Sequence, residues 1–341
     1  MKKEFLKVFN GKNEKIAFWF MRQAGRYLPE YREIRQKKSS FLDLCFDVEK
    51  AHEVTLQPLR RFDMDAAIIF SDILILPYVL GWKLEFIADI GPVLNKFSSQ
   101  EDLDKLSSKF SDDFQNVITL ITRVKKSLKD TKTLIGFAGS PWTIASYMIE
   151  GRGKTDLSAI RKFAYQRADV FEKLIKFLTY QTIEYLSAQI SAGADVIQIF
   201  ESAAHFIPEE IFNSFIISPT KTIVSELKKR FPQIPIICFP KFAGNFYEAF
   251  AYGVKADAVS LDYLVSFDVA QNLQKDFVIQ GFIDPAVLLT NKELIRFHFE
   301  RILKNLDKKN FIFNLGGGVL PKTPLENLSF LVELIKKEGV F

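Results

Sequence analysis

Eight short runs of apolar and β-branched residues recur along the chain. In most cases each is followed by a loop of polar or Gly/Pro residues and then by a segment of helical periodicity. The runs are Ile16–Met21, Ala66–Phe70, Thr133–Phe137, Asp195–Phe200, Pro235–Phe239, Ala258–Leu261, Phe277–Gln280 and Phe311–Asn314. Most are nearly continuous Ile, Val and Phe rather than alternating, the pattern of a parallel strand buried on both faces. The clearest helical segments are Val48–Arg61, Gln100–Lys126, Leu157–Ser191, Pro208–Lys229, Val265–Gln274, Lys292–Leu306 and Pro324–Lys337, with Pro208 expected in the first turn of its helix. Right-handed crossovers between eight buried strands close into a barrel. The predicted fold class is therefore α/β, a single (β/α)8 TIM barrel over residues 1–341. No Gly/Ser linker, charge block or internal repeat divides the chain.

Charge excludes little globally and directs attention to local clusters. Lys and Arg number 46 against 41 Asp and Glu, and the resulting +5 is too small and dispersed to predict a nucleic-acid partner. The two cysteines, Cys45 and Cys238, lie far apart without CxxC spacing, so neither a disulfide framework nor a thiolate zinc site is expected, in keeping with a reducing cytoplasm. Charged residues break the N-terminal stretch before a signal-type apolar core develops. The longest apolar stretch, Ala66 to Trp82, is interrupted by Asp72 and Pro77 and is too short to span a membrane. It reads as a buried strand followed by a turn.

Barrel chemistry sits at the carboxyl ends of the strands, so the residues after each run are the candidates. The first run ends in Phe20-Met-Arg-Gln-Ala-Gly-Arg26, two arginine forks suited to gripping carboxylates or phosphates, with Gly25 expected to let the backbone turn between them. The second delivers Ser71 and Asp72, the third leads to Gly139, Pro141, Trp142 and Tyr147, and the fourth delivers Glu201 and Ser202. The remaining ends carry Pro240 and Lys241, Asp262, Asp284 and Gly316-Gly-Gly318. Structural alternatives stand beside several of these. The arginine pair could be a solvated basic loop, Asp72 a cap, Tyr147 a core tyrosine, Ser202 a turn residue and the triple glycine a flexible turn. Of His52, His205 and His298, two fall in helical segments, so nucleophile–histidine catalysis would rest on His205 alone. With no HExxH, paired-histidine or DxDxDG pattern, the expected site uses neither metal nor cofactor.

Two long motifs carry a family resemblance: Trp19-Phe-Met-Arg-Gln-Ala-Gly-Arg-Tyr-Leu-Pro-Glu-Tyr-Arg32 and Gly136-Phe-Ala-Gly-Ser-Pro-Trp-Thr-Ile-Ala-Ser-Tyr-Met-Ile-Glu-Gly151. They resemble the two signatures of the uroporphyrinogen decarboxylase family. Further similarity lies in Thr55–Phe62, Asp65–Leu74, Phe200-Glu-Ser202 and Gln280-Gly-Phe-Ile-Asp-Pro285, so the resemblance covers essentially the whole chain. It implies a cytoplasmic homodimer of (β/α)8 barrels that works without metal or organic cofactor. The implied reaction converts the four acetate side chains of uroporphyrinogen III to methyls, giving coproporphyrinogen III and four CO2 in haem biosynthesis.

By the same resemblance, Asp72 is the aspartate that stabilises the substrate cation, and Arg22, Gln23, Ala24, Gly25 and Arg26 form the substrate-binding loop, with Arg35 a further binding arginine. Arg22 is also the candidate for delivering the proton through water, since a guanidinium is a poor acid. Tyr147 and Ser202 match positions that hydrogen-bond substrate carboxylates, and Phe137 matches an apolar wall. Two departures stand out. Gly317 in Asn314-Leu-Gly-Gly-Gly318 occupies the place of a substrate-contacting histidine, and Phe282 stands where the family commonly has Asn. The first leaves open a tetrapyrrole-binding homologue impaired in catalysis. A second alternative is a corrinoid or thiol methyltransferase of related barrel type, for which Cys238 is the one hint.

Overall fold

In the computed structural model, which describes residues 3–153 and 155–340, the eight runs become the eight parallel strands of a (β/α)8 barrel. These are β1 (Ala17–Phe18) and β2 (Ala66–Ile68), then, beyond a small hairpin of β3 (Leu84–Ile87) and β4 (Gly91–Leu94), β5 (Thr133–Gly139) and β6 (Val196–Glu201). The set continues through β7 (Ile236–Pro240), β8 (Ala258–Ser260), β9 (Val278–Ile283) and β10 (Phe311–Leu315). Their order is β1-β10-β9-β8-β7-β6-β5-β2, every neighbouring pair parallel. Residues of β5, β7, β8, β9 and β10 are buried throughout, as expected of strands covered by side chains inside and helices outside.

The ladder stops between β1 and β2, and two side chains close that seam. The Asp65 N–H donates to the Phe18 carbonyl and the Asp65 carboxylate accepts from the Phe18 N–H, each at 3.1 Å. Higher up, the Gln23 amide donates to the Ala66 carbonyl at 3.3 Å and accepts from the Ile68 N–H at 3.2 Å. A single primary amide thus satisfies the backbone edge of β2 as a neighbouring strand would. Inside the barrel, Trp19 Nε1 donates to Gln280 Oε1 at 2.8 Å, and Gln280 Nε2 donates to Ser260 Oγ at 2.5 Å and Gln198 Oε1 at 3.1 Å. This buried polar layer ties β9 to β8, β6 and the end of β1.

Three long helical segments are interrupted. Gln100–Lys126 splits into Gln100–Asp104 and Asp113–Leu128, because Ser107 accepts from the Lys109 N–H and donates to its carbonyl, competing with helical bonding. Leu157–Ser191 becomes Ser158–Gln166 and Ala168–Ser191, broken at Arg167 (φ −131°, ψ 46°). Pro208 caps the helix Glu209–Phe212 from outside rather than occupying its first turn. A π-helical stretch, Asn213–Ile217, follows it and leads into Ser218–Arg230, where Pro219 has no N–H to continue an α-helical register.

Candidate active site

Arg22 leaves the end of β1 in the left-handed conformation, φ 57°. A β-carbon disfavours that region, so the neighbours must hold it. Met21 is gripped at both ends: its N–H donates to Asn314 Oδ1 at 3.0 Å and its carbonyl accepts from the Val319 N–H at 2.9 Å. The Gln23 N–H donates back to the Phe20 carbonyl at 3.0 Å. The Arg22 stem then lies over Gly318, where a β-carbon would collide with Cγ and Cδ and come within 3.0 Å of Nε. The triple glycine therefore seats an arginine, which gives Gly318 a packing reason. Gly25, expected to make the turn, has no positive φ; the turn falls on Arg22 itself.

Asp72 follows the carboxyl end of β2. Its Oδ1 accepts from the Leu74 N–H at 2.9 Å, so the capping alternative holds for one oxygen. Oδ2 makes no hydrogen bond among the described residues. Burial pushes its pKa above the usual aspartate range, opposed by the Leu74 N–H and the Arg22 charge. Tyr147, on the helix Pro141–Glu150, shares this environment: burial and the Asp72 charge raise its phenol pKa, while Arg22 opposes. Arg22, Asp72 and Tyr147 thus form one electrostatic group. Arg26 and Arg35 are both near enough to Tyr31 for their charges to oppose the burial that raises its phenol pKa to about 12.

A buried carboxylate positions the opposite wall. Glu201, at the end of β6, accepts from Ser140 Oγ, from Thr143 Oγ1 at 2.5 Å and from the Ala203 N–H at 2.8 Å. Thr143 Oγ1 also accepts from the Ser202 N–H at 2.7 Å. The network fixes Ser202 to the first turn of the helix bearing Tyr147. Burial raises the Glu201 pKa against these donors. Phe137 packs edge-on against Phe200, ring centroids 5.6 Å apart, to form apolar surface between β5 and β6.

On the β7 side, Lys241 enters the mouth. Its N–H donates to the Glu201 carbonyl at 2.9 Å, and the Phe242 N–H donates to Asp262 Oδ2 at 2.6 Å. Asp262 also accepts from Tyr247 Oη at 2.7 Å and the Leu264 N–H at 2.8 Å, so this candidate is committed to holding the loop. Burial, then the Arg22 charge, pushes the Lys241 ammonium below the usual lysine range, against the opposing charge of Asp262.

The chain as a whole is similar to known proteins. A family model described as uroporphyrinogen decarboxylase (URO-D) matches residues 1–338. The chain is 47% identical over 334 residues to the uroporphyrinogen decarboxylase of Rickettsia canadensis, covering 98% of each chain. It is 48% identical over 326 residues to that of Rickettsia akari, covering 96% of each. The chain belongs to the uroporphyrinogen decarboxylase family. At fold level it is similar to a methyltransferase from Methanosarcina mazei, with TM-score 0.79 and 16% identity, covering 99% of this chain and 98% of that one. A B12-independent methionine synthase from a Shewanella species is a more distant structural neighbour, with TM-score 0.56, 15% identity and 85% of this chain covered.

In this barrel, Arg22, Asp72, Ser202 and Gly317 follow the ends of β1, β2, β6 and β10, Tyr147 lies on the helix after β5, and Ala24, Gly25, Arg26 and Arg35 lie in the segment after β1, Arg35 on the helix Pro29–Gln36. Gln23 is held within the protein: its side chain is bonded to β2, its N–H to Phe20 and its carbonyl to the Tyr27 hydroxyl at 2.6 Å, so it braces the loop that carries Arg22 and Arg26. Phe282 packs edge-on against Phe267 at 5.2 Å, an apolar side contact. Cys238 is wholly buried within β7, its thiol pKa raised by burial. Among the described residues no group of three or more His, Cys, Asp or Glu is arranged to hold a metal ion, which leaves the methyltransferase alternative without a ligand set. No described helix is long and apolar enough to cross a membrane. Glu201 and Lys241 stand among the strand-end candidates without a role in the sequence; the fold ties Glu201 to Ser202 through Thr143 and sets Lys241 against Gly317.

Proposed function

We propose that this chain is a carboxy-lyase that converts the four acetate side chains of uroporphyrinogen III to methyls, yielding coproporphyrinogen III and four CO2. The observation that carries the reading is a carboxylate with one unengaged oxygen, lying in the field of Arg22 just past the carboxyl end of a barrel strand. The family membership supplies the substrate. Decarboxylation leaves an electron pair that needs a sink, and the pyrrole itself provides it. Protonation of the ring carbon beside the acetate arm makes a cation. The bond to the carboxylate carbon then breaks, CO2 leaves, and its electron pair passes into the ring as an exocyclic methylene forms. A proton added to that methylene, and one lost from the ring carbon, restore the pyrrole with a methyl in place of the acetate. Each arm consumes one proton overall.

Asp72 is assigned to stabilise the cation as it forms, by accepting hydrogen bonds from pyrrole N–H groups at Oδ2 while Oδ1 stays on Leu74. A fixed charge in a partly dry site is already oriented when the transition state arrives. Arg22, lying in the field of Asp72, is assigned to the reacting arm and to proton delivery through water. Arg26 and Arg35 orient the unreacting carboxylates, Tyr147 and Ser202 hydrogen-bond to them, Phe137 supplies apolar wall, and Ala24, Gly25 and Gly317 line the site with backbone. Gripping every arm equally would lower KM without raising kcat, so orientation and chemistry belong to different arginines. The family also implies a homodimer in the cytoplasm. Anaerobic incubation of the purified chain with uroporphyrinogen III and no added cofactor is expected to release four CO2 per coproporphyrinogen formed. Binding without CO2 release would favour the non-catalytic tetrapyrrole-binding alternative.

A further inference from the structure

Gly317 is buried and sterically permissive: a β-carbon there would meet Pro285 Cγ at 3.5 Å and Lys241 Nζ at 3.8 Å, both ordinary contacts. A β-carbon is thus tolerated there, and an ammonium borders it. Lys241 Nζ makes no ion pair among the described residues; its contact is with the face of Phe242, 4.6 Å from the ring centroid. Asp262, the carboxylate whose field it feels, is fully buried and already accepts three hydrogen bonds from the loop. The other titratable neighbours are Arg22, which repels it, and His205, whose imidazole pKa is held down by burial and also by the Lys241 charge.

The backbone beneath this lysine is built to hold it. Its own N–H is tied to the Glu201 carbonyl at 2.9 Å, and Phe242 is held at φ 63° by the Asp262 carboxylate at 2.6 Å. A positive φ at a phenylalanine is maintained against its preference, and it aims the preceding residue into the mouth. A desolvated cation beside a second cation, with no anion assigned to it, is an arrangement that an incoming carboxylate completes.

We propose that Lys241 is a substrate-binding residue whose ammonium, beside Gly317, grips one carboxylate of the tetrapyrrole. The inference rests on the proposed function and adds a point-charge contact to the arginine forks. It also accounts for how a chain with glycine at 317 keeps a donor at that end of the site. Asp262 is then a positioning residue, acting through the Phe242 N–H.

The test compares the parent with Lys241→Met, Lys241→Arg, Gly317→His and the Lys241→Met/Gly317→His double variant, each checked for folding by circular dichroism and thermal melting. The KM for uroporphyrinogen III is expected to rise about tenfold or more in Lys241→Met, with kcat changed far less, and to stay nearer the parent in Lys241→Arg. Gly317→His is expected to lower KM more in the Lys241→Met background than in the parent, since both side chains serve the same carboxylate. A folded Lys241→Met protein with KM within about twofold of the parent would overturn the proposal. So would a loss confined to kcat. If the parent itself releases no CO2, the proposed function fails separately, and uroporphyrinogen III is titrated by tryptophan fluorescence. Equal dissociation constants for parent and Lys241→Met would then reject the Lys241 role, and a weakened one would support it.

Discussion

Replacing Asp72 by Asn keeps an acceptor for the Leu74 N–H and removes the charge, which separates structure from chemistry at one atom. Loss of most of kcat is expected with the fold intact, and an enzyme with near-parent kcat would refute the cation-stabilising role. Stability should move the other way. Because burial raises the folded-state pKa of Asp72 above its unfolded value, ionisation costs folding free energy once the pH has risen through the folded pKa, and costs none below the unfolded pKa of about 4. The Asn variant should therefore melt higher than the parent at pH 7 to 8, and the gain should vanish as the pH falls toward about 4. In the parent, the acid limb of kcat/KM should lie above the ordinary aspartate range and disappear in the variant. Arg26→Lys keeps the charge and loses the planar fork, so a several-fold higher KM with similar kcat is expected from steady-state kinetics. Both residues are legible from their motif. That Arg22 itself takes the left-handed turn is not, because that φ is imposed by Asn314 and Val319, about 300 residues away.

Strands β1 and β2 are short, two and three residues, and the seam between them depends on side chains. Gln23→Ala leaves the Ala66 carbonyl and the Ile68 N–H without partners, each loss costing about 1–3 kcal/mol if unsatisfied. Chemical denaturation should show a drop of about 2–6 kcal/mol, with KM rising because the loop bearing Arg22 and Arg26 loses its brace. A variant as stable as the parent would show that water or a relaxed backbone closes the seam. The barrel strands were readable because burial on both faces makes each a short run of Ile, Val and Phe. The hairpin of β3 and β4 was not: Leu84–Ile87 is buried only in part, so the strongest signal is missing there. The long helices ran together in the sequence because their breaks depend on Ser107 turning onto Lys109 and on the Arg167 backbone, neither marked by Gly or Pro.

At the scale of the molecule, the homodimer implied by the family makes a mass of about twice 39.2 kDa the expected result of sedimentation equilibrium at micromolar concentration. A monomer mass across that range would remove this part of the proposal. Sequence alone determined the barrel, since eight doubly buried strands separated by helical crossovers have few other ways to hide their faces. It also determined the family and the residue types at the strand ends, because those lie in long contiguous motifs. Tertiary structure decided which of them face one another. Gln23 became a brace, Asp262 a loop anchor and Lys241 a neighbour of Gly317 because hydrogen-bond partners and buried charges are set by strands brought together from distant parts of the chain. Periodicity records that a residue is buried, and only the closed barrel says against what.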